Sequence, residues 1–318
     1  MINGLFAPTA STDETLRPST IGQVLGQERT KQALNTYLTS SRDRRRTLDH
    51  TLLTGPPGMG KTTLAQALAA DLGQRLISVV GSISTESMLL HHVRDAGVNG
   101  GVLFIDEIHG LKVKTMEMLY TVMEDFQDPA GVDGWRLSPF TIVGATTDAG
   151  LLTAPFRDRF GIQLQLDYYT PSELALIVSR TASVLGGSLD SEAIACIAGR
   201  ARGTPRIANR LTRRVLDHLH VDHTLGTLAH TIHYLEVMGV YDNGLTHLDF
   251  RFLSALLDLR RPSGIRAIAS MLGEAPSTVE YAIEPWLVKC GLVHRGARGR
   301  EITSAGVEAF VNYKRRGH

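Results

Sequence analysis

A doubly wound parallel α/β sheet, followed by a small all-helical domain and a C-terminal winged helix, is the fold class this sequence predicts. Three observations predict it. Four short apolar strand candidates, Thr51–Thr54, Arg75–Val79, Gly101–Ile105 and Thr141–Ala145, alternate with helical stretches near Lys61–Asp71, Thr85–Asp95 and Thr115–Phe126. That alternation is the signature of a parallel sheet with its chemistry at the carboxyl ends of the strands. Past Tyr169 the strand pattern stops, and Pro171–Leu185, Ser191–Ala201, Pro205–His220 and Leu228–Met238 all read as helices. From near Leu245 the chain offers Asp249–Arg260, Ile265–Leu272 and Ser277–Cys290, then an arginine- and glycine-rich Arg295–Arg300 with a short strand pattern on either side. Three helices closed by a basic hairpin outline a winged helix.

Length agrees with this division. A chain of 318 residues exceeds what one hydrophobic core usually supports. The expected domains are 1–167, 168–240 and 241–318. Residues 1 to about 15 are small and polar, a helix is expected over Gln27–Leu38, and the basic run Arg42–Arg46 after it reads as a solvated face. The formal net charge of +1 excludes a global polyanion-binding surface, so any nucleic-acid site is a local patch, with the arginine-rich C-terminal end the place to look. Cys196 and Cys290 form no CxxC pair, which argues against a disulfide framework or zinc site and fits a cytoplasmic setting. No apolar run approaches the ~18 residues of a membrane span.

The most specific motif is Gly55-Pro-Pro-Gly-Met-Gly-Lys-Thr-Thr63, which satisfies G-x-x-x-x-G-K-[ST] between a strand and a strong helix former. In that context the loop is a P-loop whose backbone N–H groups wrap a polyphosphate at a helix N-terminus. Lys61 brings a point charge to the outer phosphates and Thr62 a hydroxyl for magnesium. The strand Gly101–Ile105 ends in Asp106 and Glu107. Adjacent acids there are costly to bury without partners, but beside a P-loop Asp106 suits the magnesium shell and Glu107 suits polarising a water. Nucleoside triphosphate hydrolysis is the implied chemistry.

Other polar residues read with alternatives. Thr146-Thr147 at the end of Thr141–Ala145 either caps the next segment or senses a γ-phosphate. Phe156-Arg-Asp-Arg-Phe160 carries either a surface Arg–Asp network or an arginine finger for a neighbouring subunit. Arg206, just after Pro205 at a helix start, is electrostatically misplaced unless an anion compensates. Arg295–Arg300 is either a solvated basic turn or a wing that lies along a phosphate backbone.

Taken in order, these motifs resemble the RuvB family, ring-forming motors of Holliday-junction branch migration. The matching runs include Leu16-Arg17-Pro18, Leu48-Asp49-His50, the P-loop, LFIDEIH to His109, Met123–Phe126, Gly144–Thr147, Arg157–Gly161, Gly203–Leu211, Glu284–Leu287 and Ala297–Arg300. The resemblance implies an AAA+ ATPase core, a helical lid and a winged-helix DNA-binding domain. It implies that Leu16, Arg17 and Tyr169 flank the adenine, that Gly58, Lys61, Thr62 and Thr63 hold phosphates and Mg2+, and that Thr147 and Arg206 are the first and second sensors. Arg159 falls on the residue reaching the nucleotide, with Arg157 its rival, and Glu124, Asp125 and Phe126 fall near the nucleotide of the same or an adjacent subunit. Arg295 and Arg300 match DNA-contacting arginines. Expected partners are ATP with Mg2+, duplex DNA and four-way junctions, further copies in a hexameric ring, and the junction-binding protein RuvA.

Three departures from the family pattern stand out. Gly110 and Asp148 replace arginines, and the segment between Phe126 and Pro139 is shorter than the usual apolar, glycine-rich hairpin that docks RuvA. Shortening puts that docking in question. Two other functions share some of the motifs. One is a clamp-loader or initiator-type switch that remodels a protein on DNA. The other is a winged-helix regulator controlled by nucleotide, which Glu107 disfavours.

Overall fold

The computed structural model describes residues 17–128 and 136–316. They fall into two compact units, one running to Ile177 and including Thr204–Arg206, the other comprising Val178–Gly203 and the chain from Ile207 onward.

The first unit is built on a five-stranded, all-parallel sheet. Its strands are β1 (Thr51–Thr54), β2 (Leu76–Val80), β3 (Val102–Asp106), β4 (Thr141–Thr146) and β5 (Ile162–Gln165), in the order β2-β3-β4-β1-β5. The central strands are apolar without alternation because helices cover both faces. Leu103, Phe104, Ile105, Ile142 and Val143 are all fully buried. Helices Glu86–Asn99 and Val113–Asp125 pack Leu89, Val93, Leu119 and Val122 into one core with Leu103, Ile105 and Ile142. Four strands lie within a residue of their expected bounds. The fifth, Ile162–Gln165, was not expected, since IQLQ is four residues long and only its first is buried. Helix Glu28–Asp43 runs past the expected Leu38 and takes in Arg42, whose guanidinium donates to the Asp71 carbonyl.

This strand order positions the site. β4 lies between β1 and β3, so the P-loop after β1, the acids ending β3 and the threonines ending β4 leave one sheet edge side by side.

The second unit holds helix Ser191–Arg200, helix Pro205–Val221 from Ile207 onward and helix Leu228–Val237, then a winged helix. His247–Leu259 opens with a capping box between Thr246 and Asp249. The expected helix Ser277–Cys290 is found over 276–289, interrupted by a π-helical turn at Val279–Ile283 between Pro276–Thr278 and Glu284–Lys289. Pro285 explains the break: it has no N–H, and its ring would clash with the carbonyl four residues back, so the helix widens by one residue. The hairpin β6 (Val293–Gly296) and β7 (Gly299–Ile302) pairs Arg295 with Arg300, and Arg300 also bridges to Ser263. A terminal helix, Ser304–Arg315, follows the hairpin, capped by the Thr303 hydroxyl. It was missed in the sequence, although Thr303 is an ordinary N-cap. Its Tyr313 stacks on Phe250 at 3.8 Å and closes the core of this domain.

Candidate active site

The P-loop is set by glycines with positive φ. A Cβ on Gly55 (φ 143°) would sit 2.4 Å from the Leu166 carbonyl oxygen, so only glycine permits that passage. Gly60 (φ 94°) caps helix Lys61–Asp71, placing Thr62 and Thr63 in its first turn. Lys61 is 7% exposed, and its Nζ donates to the carbonyls of Gly55 (2.6 Å) and Pro56 (3.0 Å). Burial pulls its pKa below the ordinary lysine value, the carboxylates of Glu107 and Asp106 oppose that pull, and Arg206 adds to it. An anionic ligand would act with the carboxylates and favour the charged amine.

At the end of β3 the Asp106 carboxylate accepts from the Glu107 N–H (3.1 Å). Glu107 itself has φ 47° and ψ 52°, a left-handed conformation that costs a non-glycine residue about 1–2 kcal/mol. The bend turns its carboxylate toward β4, where the Thr147 hydroxyl donates to Oε2 at 3.2 Å. Thr147 therefore contacts the acid and does not cap the next segment; the cap there is Asp148, whose carboxylate accepts from the Gly150 N–H.

His109, to which the sequence assigns no site role beyond ending the LFIDEIH run, joins this group. Its Nδ1 lies 2.8 Å from the Thr146 hydroxyl and 3.3 Å from Glu107 Oε2. Thr146 has one hydroxyl proton and donates it to the Asp148 carbonyl, while accepting from the Asp148 N–H. Toward His109 it can then only accept, so Nδ1 carries the imidazole proton. The motif-terminal position of His109, two residues past the acid, was the available clue.

The remaining expected residues divide clearly. Tyr169 is buried, its ring would meet a Cβ on Gly26 at 2.7 Å, and its hydroxyl donates to the Met59 carbonyl at the long limit of 3.5 Å. Burial raises its pKa far above the usual tyrosine value. Arg17 is exposed and donates to Gln66, and Leu16 lies outside the described residues. A Cβ on Gly58 would meet the Thr204 methyl at 2.7 Å and Arg206 Cβ at 3.3 Å, which puts Arg206 beside the loop. Arg206 is exposed and has no side-chain partner among the described residues.

The two arginines of the RDR segment are distinguished by their surroundings. Arg157 has no side-chain partner among the described residues. Arg159 pairs with Glu124 (2.8 Å), donates to the Pro155 carbonyl (2.8 Å) and lies 4.4 Å over the Tyr120 ring, none of them a P-loop residue. Asp125 is exposed, and Phe126 (φ 52°) ends its helix with its ring against His50 and Phe140. The stem of the shortened segment pairs Gln127 with Arg136 and is pinned by a two-pronged Arg94–Asp128 ion pair; its tip, 129–135, lies outside the described residues.

Gly110 packs closely on the 81–83 turn. A Cβ there would lie 2.8 Å from the Ser82 backbone, so an arginine at this position requires the 81–83 turn to move.

In the winged helix, Arg295 is exposed, while Arg300 is turned inward. Arg300 is 11% exposed and directs Nε and Nη2 to both oxygens of Glu284, itself 2% exposed, at 3.0 Å each. Of the two expected DNA contacts, Arg295 is the exposed one, its side chain 57% exposed; Arg300 has Nη1 beyond that fork.

Comparison with known proteins accords with this geometry. Three family models match in succession: the Holliday junction DNA helicase RuvB P-loop domain over 16–166, the RuvB AAA lid domain over 169–236 and the RuvB C-terminal winged helix domain over 242–311. The chain is 42% identical over 303 residues to the Holliday junction branch migration complex subunit RuvB of Oleidesulfovibrio alaskensis, covering 92% of this chain and 94% of that protein. It is 43% identical over 305 residues to the corresponding Mycobacterium subunit (strain KMS), covering 92% and 85%. A solved Thermotoga maritima RuvB branch migration motor superposes with a TM-score of 0.84 at 39% identity, covering 94% of this chain and 98% of that one. With a P-loop, paired acids and a winged helix in the order all three domain models share, this chain belongs to the RuvB family.

Proposed function

We propose that this protein is an ATP-hydrolysing DNA motor that drives branch migration of four-way junctions, working in the cytoplasm as a ring of subunits on duplex DNA. The observation that carries the reading is the convergence of Lys61, Asp106, Glu107 and Thr147 at one sheet edge, in a chain that also carries a basic wing. The three domain ranges 1–167, 168–240 and 241–318 are the working division.

The residues fit a nucleotide with Mg2+. Thr62 and Asp106 are hard oxygen donors suited to that cation, which when bound would neutralise phosphate charge. Lys61 would exchange its loop carbonyls for phosphate oxygens. Glu107 would receive a water proton on Oε1, because Oε2 is occupied by Thr147 and faces His109. Arg17, Tyr169 and Leu16 would flank the base, and Arg206 would bind the outer phosphate from beside Gly58. Arg159, whose partners all lie away from its own P-loop, would serve the nucleotide of the next subunit, as would Glu124, Asp125 and Phe126 around it.

Arg295 would bind backbone phosphate through its exposed guanidinium, with Arg300 bracing the wing and offering Nη1. A RuvA-type partner would dock on the segment beyond the Gln127–Arg136 stem. An ATP-dependent unwinding assay on a four-way junction tests the main reading. ATP turnover without junction unwinding, with or without RuvA, would favour the remodelling-switch alternative.

A further inference from the structure

Arg159 is gripped by Tyr120, which lies outside the family motifs, and by Glu124 of the Met123–Phe126 run. Its guanidinium carbon lies 4.4 Å from the centroid of the Tyr120 ring, and Nη2 pairs with Glu124. Tyr120 and Glu124 are four residues apart on helix Val113–Asp125, hence on one face, directly under the arginine. The segment bearing Arg159 is itself fixed, since Phe156 and Phe160 pack edge-to-face at 5.5 Å and both are buried.

Each contact constrains a different freedom. The ring attracts the cation through its quadrupole and fixes the plane without using an N–H. Glu124, 57% exposed on its side chain, sets the direction of one edge through a solvent-screened pair that an incoming phosphate could replace. Arg159 Nε is buried and has no hydrogen-bond partner, so the group retains a donor without an acceptor. Arg159 also lines a cavity of about 630 Å3 together with Arg45 and Arg46.

The geometry points to Tyr120 and Glu124 as positioning residues for Arg159, presenting its guanidinium to the nucleotide of a neighbouring copy of this chain. The inference rests on the proposed reading of Arg159 as the residue that reaches that nucleotide. Neither residue touches the reacting atoms; both act through Arg159.

The test is DNA-stimulated ATP turnover by full-length protein in mixtures of variants. Lys61→Ala has a dead site and an intact finger, and Arg159→Ala the reverse. Tyr120→Leu should lower kcat by about 10- to 100-fold, the scale of a misplaced catalytic group, with KM for ATP changed by no more than about twofold. Tyr120→Phe keeps the aromatic face and should restore kcat to within about twofold. Mixing Tyr120→Leu with Lys61→Ala should recover turnover, and mixing it with Arg159→Ala should not. Glu124→Gln, a change at an exposed position that does not threaten folding, should show the same pattern with a smaller loss. The inference is overturned if Tyr120→Leu and Glu124→Gln keep full turnover, or if their losses are not recovered by Lys61→Ala while that of Arg159→Ala is. Failure of Arg159→Ala itself to be recovered at any ratio overturns the underlying reading of the finger.

Discussion

The nucleotide edge of the sheet and the wing at the other end of the chain both bring charged side chains to a polyanion, but they are built on opposite terms. At the sheet edge Lys61 is almost wholly buried, Glu107 sits in a left-handed backbone conformation, and its carboxylate is held by Thr147. In the wing Arg295 stands in solvent on a four-residue strand. The difference follows from the work proposed for each. A water must be activated at one point, which needs preorganised groups and tolerates stored strain. A phosphate backbone is repetitive, so charge and reach suffice to hold it.

Removing chemistry from the rigid side should have the largest effect. Glu107→Gln keeps size and burial but removes the base, and should cut ATP turnover by about 10²- to 10⁴-fold while nucleotide binding persists. Turnover and nucleotide affinity measured together decide it. Loss of binding as well as turnover would mean the residue supports the loop and not the water. His109→Ala should act in the same direction but less, with His109→Asn closer to the original, because an amide can replace the Nδ1–H donor.

The wing has one rigid element, and it provides the second test. Glu284→Ala would remove the two-pronged carboxylate from Arg300 and leave only Glu280, 3.9 Å away; breaking a buried pair of this kind costs about 3–5 kcal/mol. Thermal unfolding should show the loss as a lower Tm. Replacing both members with apolar residues should cost much less, since no buried charge is then orphaned.

A third test concerns the frame under the nucleotide edge. The His50 Nδ1 accepts the Ile142 N–H, joining the entry to β1 with β4. Burial lowers its pKa from 6.5 to about 4. The folded state therefore binds fewer protons than the unfolded chain between those values, and stability rises with pH across that window. Stability intact above pH 6.5 should decline as pH falls toward about 4, by roughly 3 kcal/mol in all. Tm measured against pH gives the slope, and His50→Gln, which retains an acceptor, should flatten it.

How much of this was legible in the sequence depended on what carried it. The P-loop, the acids after β3 and the helix spans could be read because glycine spacing, apolar runs and caps act over a few neighbouring residues. β5 was not legible: its four residues are only partly buried, and its pairing with β1 is a contact more than 100 residues away in sequence. The π-helical turn was signalled by Pro285, but whether a helix stops or widens depends on the packing around Ile283 and Leu287. Among the arginines, identity alone could not separate Arg157 from Arg159 or Arg295 from Arg300. Tyr120, Glu124 and Glu284 make those distinctions, and each is a tertiary partner.

The smallest effect is expected at Arg295, and it sharpens the comparison most directly. Arg295 is loosely held: its distances to Glu280 and Glu284 are 3.5 and 3.7 Å, and its side chain is 57% exposed. If it binds by charge alone, Arg295→Ala should weaken duplex binding by a similar factor for unrelated sequences. The slope of log affinity against log salt should become shallower by about 1, the share of one phosphate contact. Arg295→Lys should restore most of that slope, because a point charge serves a phosphate nearly as well as a fork when no geometry is demanded. Sequence-dependent losses, or a lysine variant no better than alanine, would mean that the wing reads DNA with the same positional demand as the nucleotide edge. The contrast between a built site and a charged surface would then fail at the wing.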